Sequence, residues 1–394
     1  MPTAQRPNVV FFGYPARGHT VPSLPVVAEL VRRGCDVDYY CVDSFRTLVE
    51  GSGARFRSYP PACESLLRPE NLDEHLTRGM SVAADVLPQL LESIGHVDLV
   101  LSDASALWGP LFARTRGIPC VLSITTFAFT RAMLQLLGAS PMRPPQGWND
   151  CAGALATLNT DYGAGIRDHL DLMAPDADLK LVYTSTFLQP GGKFLDARHV
   201  FVGPLLAQRA REGDAAPTAD ARPLAYVSLG TIFNRDHELL RRIAGTLSAG
   251  GWRVLVSLGD AAAAAAGDWP GGVDVRAFVD QIGVLREAKL FVTHGGMNSV
   301  SEALAQSVPL VVIPQGVDQY IVAKCAASVG AALVIDREQA NSDNLRATFD
   351  RMATERDTFA AAADRVRRSF HDVTPLPAAI DSILALLDRN HANG

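Results

Sequence analysis

Short, continuous apolar runs alternate with longer stretches of helical period along the first half of the chain. Val9–Phe12, Val37–Cys41, Leu99–Ser102 and Val121–Thr125 read as strands, and Leu24–Arg32 and Leu107–Arg116 as amphipathic helices between them. Apolar runs without polar interruption suit strands covered on both faces, so the repetition predicts a parallel sheet flanked by helices. Leu181–Thr184 and Val200–Val202 add two further strands. The stretch Phe127–Trp148, rich in Phe, Met, Leu and Pro, breaks the period and is expected to form a pocket.

From Ala207 to Arg222 the apolar period gives way to Arg, Glu, Asp, Ala and Pro, the composition of a solvated connection. The rhythm restarts with Leu224–Leu229, Val254–Leu258, Val273–Ala277, Leu290–Thr293, Leu310–Ile313 and Ala332–Ile335. The predicted organisation is an α/β domain over 1–207, a linker over 208–222, a second α/β domain over 223–374, and a terminal segment over 375–394. That segment opens at Pro375 and Pro377 and carries an apolar-periodic helix, Ile380–Leu387. The alanine run Ala261–Ala266 is compatible with helix and carries no chemistry.

Composition agrees with two cores. At about 150 residues per domain, 394 residues make two domains. With 48% hydrophobic and 20% charged residues, collagen-like, coiled-coil and disordered chains are excluded. The balance of 36 basic against 42 acidic residues, net −6, offers no field for a nucleic-acid backbone, and no basic cluster suggests a membrane surface. The six cysteines form no CxxC pair and suit a reducing compartment. No apolar run approaches the roughly 20 residues of a membrane span, and the start of the chain lacks a signal-peptide pattern; a cytoplasmic location is expected.

Open parallel sheets bind ligands beyond the carboxyl ends of their strands, so a cleft between the two domains is the expected site. After the first strand comes Gly13-Tyr14-Pro15-Ala16-Arg17-Gly18-His19-Thr20, with the glycine spacing of a phosphate loop but His where that loop needs a permanently charged Lys. An imidazole, with an ordinary pKa of about 6.5, suits proton abstraction instead. His19 is therefore a candidate general base, or else caps the helix or bonds a carbonyl. Asp103, after Leu99–Ser102, would orient it; alone it would read as a helix cap.

In the second half, Leu290–Thr293 leads into His294-Gly295-Gly296-Met297-Asn298-Ser299 and a helical pattern. Paired glycines admit close approach of backbone amides, and a helix start favours phosphate. His294, Asn298 and Ser299 could add donors. Ser299 with Glu302 is also a plain capping box, which leaves Glu302 ambiguous. Ser228 and Thr231, at the end of Leu224–Leu229, could face the same phosphates or be turn residues. In Pro314–Gln319, Asp318 and Gln319 are suited to sugar hydroxyls, with a helix cap as the plain alternative. No metal is called for, since the Asp-x-Asp pairs Asp36/Asp38 and Asp176/Asp178 follow no strong strand; the remaining histidines, His75 among them, show no metal-ligand spacing. A nicotinamide cofactor is disfavoured by the lack of a GxGxxG with a following acid.

The run from Phe278-Val279-Asp280-Gln281 through His294-Gly295-Gly296-x-Asn298-Ser299-x-x-Glu302 to Asp318-Gln319 resembles the nucleotide-sugar signature of family 1 glycosyltransferases. Gly18-His19-x-x-Pro22 and the Ser228-to-Thr231 turn fit its bacterial macrolide and natural-product branch, over nearly the whole chain. The resemblance implies a GT-B fold, two Rossmann-like domains with parallel sheets facing a cleft, acceptor on the first, UDP-sugar on the second, and a last helix returning to the first. It implies that Phe278 stacks on uracil, Gln281 contacts base or ribose, and Glu302 holds the ribose. His294, Asn298, Ser299 and Thr231 would bind pyrophosphate, Asp318 and Gln319 the sugar, as is common in glucose users. His19 and Asp103 fall on the catalytic pair.

The activity so implied is inverting, metal-independent O-transfer from a UDP-sugar, UDP-glucose, to a hydrophobic macrolide, flavonoid, phenol or polyketide. Trp108, Phe127, Phe129 and Met133 are expected to line the acceptor pocket, as core packing would equally explain. No cofactor is implied beyond the UDP-sugar co-substrate. The alternatives are a UDP-sugar-binding protein without transferase activity and a GT-B epimerase.

Overall fold

The structure is a computed structural model that describes residues 6–67, 72–136, 138, 144–206, 221–230, 236–259, 268–316 and 318–393. It divides into two compact units, Met1–Leu205 with Val373–Gly394, and Leu206–Asp372. The connection expected over 208–222 falls largely outside the described residues, as do Thr231 and the alanine run.

The first unit is built on seven parallel strands: β1 (Asn8–Phe12), β2 (Asp36–Cys41), β3 (Arg55–Ser58), β4 (Leu99–Asp103), β5 (Cys120–Ile124), β6 (Leu179–Val182) and β7 (His199–Phe201). Their order is β3-β2-β1-β4-β5-β6-β7. The two-residue period of a strand sends alternate side chains to opposite faces. Val9 and Phe11 join Val26, Val27 and Leu30 of the helix Arg17–Arg32 on one face. Val10 and Phe12 meet Met80, Val86, Trp108 and Phe112, from the helices Leu72–Ser93 and Trp108–Arg116, on the other. The last helix, Leu376–Asn393, buries Ala379, Ile380, Ile383 and Leu387 on the first of these faces, and its Asp381 pairs with Arg33 at 2.9 Å.

Two local differences from the sequence pattern have physical causes. The apolar rule passes over β3, because Arg-Phe-Arg-Ser is an edge strand with only Phe56 buried; Arg55 and Arg57 both reach Asp38 on β2. The first helix begins at Arg17 rather than Leu24 and carries Pro22 and Pro25 inside it. Both prolines are buried, and that packing offsets the backbone bonds their missing N–H groups forgo. His19 is consequently the third residue of a helix and not part of a loop.

The second unit has six parallel strands: β8 (Leu224–Ser228), β9 (Arg253–Ser257), β10 (Val273–Arg276), β11 (Leu290–Thr293), β12 (Leu310–Val312) and β13 (Ala332–Val334). They are ordered β10-β9-β8-β11-β12-β13. The chain is thus two parallel-sheet, Rossmann-like units, as the strand–helix rhythm predicts.

Candidate active site

Strand register assembles a cluster of candidate residues in the first unit. β1 and β4 are neighbours, with Phe12 opposite Ser102, so Asp103 lies beside the turn that leads from β1 into the helix of His19. Both Asp103 carboxylate oxygens are 3.0 Å from His19 Nδ1. Asp103 is 2% exposed and His19 23%, so the carboxylate is shielded while the imidazole is partly exposed. A carboxylate can only accept from Nδ1–H, which leaves Nε2 as the nitrogen with the lone pair. Asp103 also accepts from the Ser105 N–H at 2.8 Å, and the helix Trp108–Arg116 has Leu107 at its cap with no side-chain bond; the plain capping role is not taken.

Three residues that the motif reading did not single out join this pair. Thr125 Oγ1 lies 3.2 Å from His19 Nδ1. The Tyr14 ring packs 5.0 Å from that of His19, and His75 bonds the Tyr14 hydroxyl. Thr125 follows a strand and Tyr14 precedes the Gly18-His19 step, so strand-end position could have flagged both; nothing in the sequence near His75 does.

In the second unit a separate cluster assembles on β8, β11 and β12 in the same manner. Thr293 is opposite Ser228 on one side and Val312 on the other. His294 follows, held between Gly230 and Gly296: a Cβ at Gly230 would lie 2.9 Å from its Cε1, and one at Gly296 2.5 Å from its Nε2. Burial pushes the His294 pKa down to about 4, against a hydrogen bond to the Ser228 backbone that favours its charged form. Gly295, at φ +91°, allows the turn, and a Cβ there would meet Val312 at 2.8 Å and the Gln319 carbonyl at 3.2 Å.

The helix Met297–Ala305 is capped by Gly296, without a side-chain bond. Ser299 is therefore inside the first turn and cannot form the capping box that its spacing to Glu302 suggests. Instead Gln281 Nε2 donates to Glu302 Oε2 at 2.6 Å and to Ser299 Oγ at 3.3 Å, while Tyr226 donates to Gln281 Oε1 at 3.1 Å. Asn298 lies in the same turn. The structure thus brings together Ser228, Gln281, His294, Gly295, Gly296, Asn298, Ser299 and Glu302. Phe278 is 68% exposed, with Val279 and Asp280 partly buried between it and Gln281. Asp318 occupies the cap position of the helix Gln319–Ser328 but makes no capping bond. Gln319 is buried, and its Oε1 accepts the Gln315 N–H at 2.8 Å, so this amide oxygen already braces the loop.

The four residues expected at an acceptor pocket divide. Trp108 is fully buried in the core, and its indole N–H donates to the Tyr59 hydroxyl at 3.0 Å. Phe127 and Met133 are also buried, whereas Phe129 is partly exposed. Gln189 clamps this loop by exchanging two bonds with the Ala128 backbone, at 3.0 and 2.8 Å. Among the described residues no three His, Cys, Asp or Glu side chains cluster as metal ligands, and no helix is long and apolar enough to cross a membrane.

Known proteins resemble this chain in sequence and in fold. Residues 242–387 match the family described as Erythromycin biosynthesis protein CIII-like, C-terminal domain. The Bacillus subtilis (strain 168) protein named uncharacterized UDP-glucosyltransferase YojK is 31% identical over 392 residues, covering 96% of each chain. The oleandomycin glycosyltransferase of Streptomyces antibioticus is 32% identical over 358 residues, covering 86% of this chain and 82% of its own. Among solved structures, the glycotransferase of kitacinnamycin superposes with a TM-score of 0.84 at 29% identity, covering 97% of this chain and 99% of that one.

Proposed function

The chain belongs to the GT-B glycosyltransferases related to bacterial macrolide and polyketide glycosyltransferases, and from that premise we propose that it transfers glucose from UDP-glucose to a hydroxyl of a hydrophobic natural product. As a member it is a sugar-transferring enzyme that uses a nucleoside-diphosphate sugar and a natural-product acceptor. The observation that carries the mechanism is the His19–Asp103 pair, a shielded carboxylate bonded to one nitrogen of a partly exposed imidazole.

In this reading His19 Nε2 takes the acceptor hydroxyl proton, the oxygen attacks the anomeric carbon from the face opposite the nucleotide, and UDP departs with inversion. Asp103 stabilises the imidazolium as it forms. The departing diphosphate is met by the helix start at Met297 and by His294, Asn298 and Ser299, without a divalent ion. Glu302 and Gln281, already bonded to each other, are assigned to the ribose and base, and exposed Phe278 to the uracil face. Ser228, Asp318 and Gln319 complete the donor side, Gln319 through the loop it braces. A glucose donor is supported by the Asp318–Gln319 pairing and by the name of the YojK relative. A polyketide-like acceptor is supported by the names of the oleandomycin and kitacinnamycin enzymes and by the apolar side chains Phe127, Phe129 and Met133.

The test is donor and acceptor profiling of the purified chain, with UDP release and product mass read together. Hexose addition from UDP-glucose to macrolide or phenolic hydroxyls is expected. Turnover of thymidine-diphosphate sugars alone would overturn the donor assignment, and a product with retained anomeric configuration would overturn the single displacement.

A further inference from the structure

Tyr14 stands between two imidazoles. Its ring centroid is 5.0 Å from that of His19 and 5.0 Å from that of His75, with ring planes inclined by 49° and 58°. His75 comes from the first turn of the helix Leu72–Ser93, 61 positions along the chain from Tyr14. The Tyr14 hydroxyl lies 3.0 Å from His75 Nδ1 and 3.3 Å from the Leu66 carbonyl. A hydroxyl has one proton and a carbonyl only accepts. Both contacts are therefore made together when the hydroxyl donates to Leu66 and the His75 Nδ1–H donates to the hydroxyl oxygen.

The surroundings keep both bonded groups, the His75 imidazole and the Tyr14 phenol, uncharged at neutral pH. Burial pushes the His75 pKa down to about 4, helped by repulsion from His19 and opposed by Asp103. Burial and Asp103 both push the Tyr14 phenol up, with Arg78 pulling the other way. Arg78 is on the same helix as His75 and is paired with Glu74. At neutral pH, then, the His75 imidazole is uncharged.

Proton transfer by His19 does not itself require a second histidine. A hydrogen bond at one edge of a ring still permits tilting about that edge, and a packed aromatic face removes that freedom. We propose that His75 is a positioning residue for the transfer reaction: by bonding the Tyr14 hydroxyl it holds the Tyr14 ring against His19, keeping the imidazole aligned with the acceptor hydroxyl. This rests on the reading of His19 as general base.

The experiment compares His75→Leu, His75→Asn, Tyr14→Phe and His19→Ala in steady-state transfer, with thermal unfolding alongside. His75→Leu should lower kcat about tenfold while the KM values for donor and acceptor move less than about twofold, since misalignment acts on the chemical step. His75→Asn, whose side-chain N–H can reach the hydroxyl, should recover most of the loss. Tyr14→Phe, which keeps the ring and removes the same bond, should resemble His75→Leu, and it supplies the answer where His75→Leu does not fold. Wild-type kcat in Tyr14→Phe, or an Asn variant as slow as the Leu variant with both folded, would overturn the proposal. Activity surviving in His19→Ala would remove the base assignment itself. An inactive His19→Ala beside a fully active His75→Leu would remove only the role of His75.

Discussion

Both carboxylate oxygens of Asp103 lie 3.0 Å from Nδ1 of His19, joining residues 84 positions apart. The contact follows from the pairing of β1 with β4, which sets the last residue of one strand beside the exit of the other. Its protection from solvent, with Asp103 2% exposed, strengthens the carboxylate's hold on an imidazolium relative to the same pair in water.

Removing either member should stop the chemistry and spare the nucleotide. Asp103→Asn and His19→Ala are each expected to lower kcat for aliphatic alcohols by about 10²- to 10⁴-fold. The loss should be smaller for phenols, which ionise near pH 10 without help. Calorimetry should return an unchanged Kd for UDP, whose assigned contacts belong to the other compact unit. Equal losses for alcohols and phenols would count against general-base catalysis.

Gly296 leaves no room for a methyl group beside His294, its Cβ position being 2.5 Å from Nε2. Gly296→Ala should displace that ring and weaken UDP about tenfold, or about 1.4 kcal/mol. Titration of UDP into the variant checks this, and an undiminished affinity would detach His294 from the diphosphate.

His294 also predicts proton uptake on nucleotide binding. Burial holds its pKa near 4, so it is neutral at pH 7, and with one nitrogen bonded to the Ser228 backbone the other can only accept. A diphosphate oxygen needs a donor, so binding raises the pKa and draws in a proton. Affinity for UDP should then strengthen as pH falls below the raised value and level off near 4. Calorimetry in buffers of different ionisation enthalpy measures the uptake, and subtracting the His294→Asn titration removes the protons of UDP itself. Identical uptake by both proteins would sink the assignment.

Chelation separates the proposed leaving-group chemistry from a metal-dependent one. Transfer should be unchanged after dialysis against EDTA, because helix amides and His294 are assigned to the departing charge. Activity lost on dialysis and restored by a divalent ion would replace that assignment.

Trp108 and Phe129 should respond differently to truncation. Trp108→Ala removes a fully buried indole and its bond to Tyr59, at a cost of about 3–5 kcal/mol in urea unfolding. Phe129→Ala, at a partly exposed position, should cost under about 1.5 kcal/mol and instead raise the acceptor KM. A stable Trp108→Ala with altered acceptor selectivity would return that residue to the pocket.

Much of the architecture is legible in the chain because strands buried on both faces must be apolar throughout. The short runs from Val9 to Phe12 and from Leu290 to Thr293 carry that requirement openly. Edge strand β3 does not, since it packs through Phe56 alone, and the early start of the His19 helix is masked by two prolines whose burial could not be known. The Ser299–Glu302 spacing misled for a related reason: a local motif reads as a cap until the position of the helix start is fixed, and Gly296 fixes it one turn earlier.

By itself, then, the order of residues determined two α/β units and the chemistry available at their strand ends: an imidazole, a carboxylate, paired glycines and an amide-rich loop. Which of these groups meet was decided by strand register, because neighbours in a parallel sheet are remote in the chain. Only that pairing sets Asp103 against His19 and Gly230 against His294, and only side-chain packing brings His75, silent in the sequence, to the Tyr14 hydroxyl.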